Sequence, residues 1–252
     1  MPIIEATGKA TIGGLTMKLQ GTVIAHFALT HFNAAKHFAA EVQRRETENA
    51  GQPFGNFWEE ISLYCASCVI MTGAALESLI NEIFISPGSV HEAVTEKYGD
   101  FDSFFWGDPT STGNGWERAL ALLFFWRRSK KRGFERKGAL EKYTRAAKLL
   151  RKTQVAKTSK EYQHAVALIG FRNYLIHFKP LWDKGRANTD LEQDLAGLFA
   201  LSPWSQATQP FIEQQCMSAG CARWAIETVA NFVQEFGRKT AYDQAKLAPF
   251  KH

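Results

Sequence analysis

Between a loop rich in Gly, Pro and Asn (Asn49 to Asn56) and the Ser86-Pro87-Gly88 break lies Phe57 to Ile85, a long and very apolar helical run. A helix that is apolar on most of its circumference keeps little face for solvent and has to sit in the centre of a bundle. The rest of the chain supplies the cover. Ile24, Phe27, Ala35, Phe38 and Val42 recur at three- and four-residue steps up to the charged run Arg44 to Glu48, which predicts an amphipathic helix starting near Ile24. Arg118 to Arg128 and Gly138 to Lys152 also read as helices. Thr158-x-x-Glu161 is a capping box, and the helix it opens is expected to run to Pro180. Thr189-x-x-Glu192 repeats the signature before a short helix to about Ala200, and Cys216 to Phe236 is the last long helix.

Two stretches break the helical pattern. Lys9 to Val23 alternates apolar and polar residues around Gly13-Gly14, a β-hairpin signal. Residues 99 to 116 mix aromatics with Gly, Pro, Asp and Asn and read as an anchored loop. The expected organisation is all-α: a hairpin over 1–23 and one helical domain over 24–252, with 87–157 as an inserted aromatic loop and basic helical segment.

At 252 residues and 45% hydrophobic content the chain can bury a substantial core. Met1 to Gln20 lacks the basic start and apolar stretch of a secretory signal, and Ala119 to Trp126 falls far short of the roughly 20 residues that span a bilayer. The expectation is a cytoplasmic protein with no membrane contact. The cysteines, Cys65-x-x-Cys68 and Cys216-x4-Cys221, sit in helical patterns without Gly-rich knuckles and read as core thiols in a reducing compartment, not as metal ligands. His26, His31 and His37 lie along the first helix but lack the i, i+4 spacing of a metal pair. Neither a metal nor another cofactor is expected.

The formal net charge is +5, which alone discriminates little. Its distribution says more. Residues 127–160 hold fourteen Lys or Arg against Glu135 and Glu141, a local +12, so the remainder carries 5 − 12 = −7. A basic segment on an acidic body suits a polyanion such as RNA, with Arg127, Arg128, Lys130, Lys131 and Arg132 as the expected contacts. A solvated helical face is the plainer alternative.

The sharpest signal is Phe171-Arg172-Asn173-Tyr174-Leu175-Ile176-His177-Phe178. An Arg-Asn-x3-His string is expected only roughly 0.01 times by chance in a chain of this composition. At about 100° per residue, Asn173 and His177 share a helix face while Arg172 is offset about 140° from His177. In this motif, near the end of a late helix, the chain resembles the HEPN superfamily of helical, RNA- and nucleotide-associated proteins. Arg172, Asn173 and His177 match its signature in order and spacing. An acidic or polar residue from an earlier helix often joins the family's site, and Glu77 or Asn81 fits that role.

The resemblance covers about residues 57–85 and 158–237. It implies a metal-independent endoribonuclease of toxin or defence type held silent by an inhibitory protein partner, and the offset of Arg172 from His177 on one helix adds the expectation of a homodimer. The chemistry is coherent: His177 acts as acid or base, Arg172 neutralises the phosphate, and Asn173 orients it. The RNA supplies its own 2′-hydroxyl nucleophile and leaves a 2′,3′-cyclic phosphate. The alternative it implies is a non-catalytic module that binds RNA, a nucleotide or a protein. Composition and periodicity leave both open.

Overall fold

The computed structural model describes residues 3–12, 15–24, 27–85, 121–122, 125–126, 133–150, 152–177, 189–240 and 247–250. The molecule is mostly helical. Strands β1 (Ile3–Ile12) and β2 (Leu15–Ile24) pair antiparallel, with Ile3 opposite Ile24 and Ile12 opposite Leu15.

Helix α1 (Ala28–Glu48) begins four residues later than periodicity predicts, because Ile24 is the last residue of β2. Helix α2 (Phe57–Ile85) has the bounds read from the sequence. The two run antiparallel: the backbone N–H of Ala28 donates to Glu82 at 2.9 Å at one end, and Arg45 pairs with Glu60 at 2.6 Å at the other. By length and composition α2 could cross a membrane, but half of its most apolar window is buried inside this bundle. Ile61, Val69, Leu76, Ile80 and Phe84 form its innermost row.

Helix α3 (Ala139–Leu149), α4 (Lys160–Ile176), the short α5 (Thr189–Leu195) and α6 (Ala219–Thr240) complete the bundle. α2 packs against α1, α3, α4 and α6, and is the hub its apolar surface requires. It is parallel to α6: the Cys65 thiol donates to the Ser218 carbonyl, and the Cys68 thiol one turn on to that of Ala222, both at 3.6 Å. Further along, Tyr143 of α3 joins the same two helices. Its hydroxyl donates to the Leu76 carbonyl at 3.1 Å, and its ring meets Phe232 and Phe236 edge-on. A helix of the stretch read as an insertion is therefore part of the core.

Helix starts depart from the sequence reading in instructive ways. The cap of α4 is Ser159, whose Oγ accepts from the N–H of Tyr162, and not Thr158 of the expected capping box. α4 ends at Ile176, short of Pro180, and α5 ends at Leu195 instead of near Ala200. α6 starts at Ala219 because Ser218 caps it, accepting from the Cys221 N–H at 3.0 Å. The Glu46 carboxylate accepts from the Ala219 N–H at 2.8 Å and adds negative charge where the helix dipole is positive. Burial raises the Glu46 pKa, and that hydrogen bond opposes the rise.

All four cysteines are free and buried, on α2 and around the start of α6. Burial raises the thiols of Cys68 and Cys221 well above the ordinary range and Cys216 to about 12. Among the described residues no group of three or more His, Cys, Asp or Glu is arranged to hold a metal ion.

Candidate functional site

Arg172 lies just before the last turn of α4, where the helix passes over α2. The crossing is made at Gly73. A Cβ there would stand 2.9 Å from Arg172 Cγ and 3.3 Å from its Cβ, so the missing methyl is what lets the arginine stem lie against the helix. The guanidinium extends one turn further along α2, to Glu77, with Nη2 3.7 Å from Oε2. This is an ion pair too long for a hydrogen bond. Both side chains keep solvent contact, at 27% and 44% exposure, so the pair contributes little to stability. The Arg172 Nη1 donates to Asn173 Oδ1 at 3.0 Å. The buried Nε of Arg172 has no hydrogen-bond partner among the described residues. Buried donors are rarely left so.

Asn173 is exposed, and so is His177, which is the C-cap of α4 at φ −110° and ψ 35°. Its backbone N–H donates to the Asn173 carbonyl at 2.9 Å. Among the described residues the His177 ring has no hydrogen-bond partner, Arg172 included. One chain therefore brings Arg172, Asn173 and Glu77 together and leaves His177 at the helix end beside them.

Asn81, one turn past Glu77 on α2, is half-buried and accepts through Oδ1 from Lys142 Nζ at 3.0 Å. Lys142 belongs to α3 and is fully buried, with its ammonium 5.7 Å from the centre of the Trp126 ring. Burial lowers its pKa, while Glu77 and Glu135 act in the opposite direction. In sequence Lys142 is one member of a basic run, and nothing marks it as the inward one. Gly73 did carry a signal, since an isolated Gly in an apolar helix often marks a close approach.

Two neighbours on α4 are structural. Trp224 Nε1 donates to His164 Nδ1 at 3.1 Å, and burial, followed by Lys160, lowers the His164 pKa. Tyr174 donates to Glu213, and burial followed by that bond raises its pKa. Arg127, Arg128, Lys130, Lys131 and Arg132 lie outside the described residues. Compared with protein-family models, curated proteins and solved structures, the chain finds no match.

Proposed function

We propose that the chain is a HEPN-like, metal-independent endoribonuclease in which Arg172 holds the phosphate, Asn173 orients it and His177 transfers the proton. The observation that carries this reading is the seating of Arg172. Its stem lies in the gap left by Gly73 and its head rests between Glu77 and Asn173, with an unpartnered buried Nε. An arginine held this way is a preorganised cation for an oxyanion, and preorganised charge is the main means of stabilising a phosphorane-like transition state. His177 is exposed at the end of the same helix, and an imidazole can act as general acid or general base. The 2′-hydroxyl is the nucleophile: a base takes its proton, the oxygen bonds to phosphorus, and the 5′-oxygen leaves with a proton. A homodimer, an inhibitory protein partner, a cytoplasmic setting and RNA contacts from the basic segment belong to the same proposal.

The rival reading, a module that binds RNA, a nucleotide or a protein without cleaving, draws on the His177 ring having no hydrogen bond to Arg172 or to any other described residue. Incubating the protein with mixed RNA in EDTA separates the two. Cleavage leaving 2′,3′-cyclic phosphate ends, abolished in Arg172→Ala and His177→Ala and absent on DNA, is the expected result. Intact RNA under these conditions would hand the site to the binding module.

A further inference from the structure

The turn sequence of α2 lays out a path: the Arg172 stem crosses at Gly73, its head reaches Glu77, and the next turn presents Asn81. Residues four apart rise about 6 Å along a helix, so a ligand oxygen gathered by the guanidinium lies within a side chain's length of the Asn81 amide. What that amide offers depends on its orientation. A lysine ammonium only donates, so the group facing Lys142 at 3.0 Å is the Asn81 oxygen, and the amide NH2 is turned away from it. The same logic applies to Asn173, whose oxygen faces the donor-only Arg172. Neither NH2 donates to another described residue. Among the described residues, two amides are thus held by two cations with no partner for their donors.

We propose that Lys142 is a positioning residue of this site: by fixing the Asn81 oxygen it aims the Asn81 NH2 as a donor to a phosphate oxygen of the ligand that Arg172 holds. Lys142 does not touch the ligand, because its side chain is fully buried. Its burial also explains why it, and not one of the exposed lysines, performs the task. A buried ammonium keeps one hydrogen-bond geometry, whereas a solvated one samples many. The role deepens the ribonuclease reading and rests on it for the identity of the ligand, but the donor array itself suits any phosphate.

Asn81→Asp tests it, because the carboxylate still accepts from Lys142 and forms a charged pair, while the donor is lost and a negative charge takes its place. The melting temperature is expected not to fall. Affinity for a single-stranded RNA blocked throughout by 2′-O-methyl groups is expected to drop about tenfold or more, as loss of a hydrogen bond to a charged group implies. Lys142→Met, of similar length and apolar, is expected to fold and to weaken binding by a smaller factor through a freely turning amide. In parallel, the side-chain NH2 resonances of Asn81 and Asn173 are followed by NMR during titration with inorganic phosphate. Both are expected to move in the wild type, and that of Asn81 is expected to respond less in Lys142→Met. Unchanged RNA affinity in Asn81→Asp, or an Asn81 amide indifferent to phosphate, overturns the positioning role even if RNA is cleaved. Phosphate-responsive amides in a protein that leaves RNA intact uphold it and end the ribonuclease reading instead.

Discussion

Gly73 contributes by what it lacks. Alanine in a helix interior is intrinsically better than glycine by about 1 kcal/mol, so Gly73→Ala would stabilise α2 if nothing lay above it. Arg172 Cγ lies 2.9 Å from the added methyl, and the flexible arginine is the group that yields. The expected outcome is a protein with a melting temperature within a few degrees of wild type and RNA cleavage reduced to the level of Arg172→Ala. A variant that folds and cleaves normally would show that the seat over Gly73 is not needed. Lys142 makes a second prediction at this scale. Its pKa is lowered by burial, with Glu77 of α2 and Glu135 opposing. Between that lowered value and the ordinary 10.5 the unfolded chain binds more protons than the folded one, so stability gains from rising pH in this window. Melting curves up to pH 10.5 are expected to show this upward component in wild type and to lose it in Lys142→Met. The motif itself was readable from residue order. Gly73 signalled a close approach, but that Arg172 fills it and that Lys142 is the buried lysine were not readable, because each depends on which side chain faces a helix distant in sequence.

Helices were legible where one strong period covers the whole element, as in α2, and less so where two polar residues compete for a cap. Thr158 and Ser159 both precede the apolar pattern of α4, and the capping-box spacing favours the threonine. The structure uses Ser159, whose extended backbone at φ −73° and ψ 151° turns Oγ toward the Tyr162 N–H. Ser159→Ala is therefore expected to cost about 1 kcal/mol in denaturant unfolding and Thr158→Ala much less. The reverse order would restore the cap read from the sequence. The start of α6 is more tightly bound to its surroundings. A Cβ on Gly220 would lie 2.3 Å from the Ala200 carbonyl oxygen, a backbone atom with no rotamer to change. Gly220→Ala is expected to destabilise by about 1–3 kcal/mol, visible as a lower urea midpoint. No periodicity argument marks that position, since the clash comes from the loop before α6.

At the scale of the molecule, the helical class and the central place of α2 followed from the apolar run of Phe57 to Ile85, whereas the described residues of one chain show no hydrogen bond between His177 and Arg172. Helical geometry sets Arg172 and His177 about 140° apart around α4. The structure keeps Arg172 inward on α2 and His177 outward at the C-cap. The outward side of α4 also carries apolar residues: Val166 and Ile176 are 43% and 42% exposed. A two-fold axis running past this face would cover them and set the His177 of each copy near the motif of the other, and isologous dimers are the commonest symmetric assemblies. Mixing Arg172→Ala chains with His177→Ala chains is then expected to restore part of the cleavage that each lacks alone. The mixed dimer would hold one intact pair drawn from opposite chains. Val166→Glu, which places a charge on that face, is expected to shift the sedimenting species toward monomer and to reduce wild-type cleavage in step. Full activity in a monomer would leave His177 working with its own Arg172 and remove the two-chain site, and no recovery on mixing chains shown to exchange would mean either that each chain works alone or that all four residues are needed.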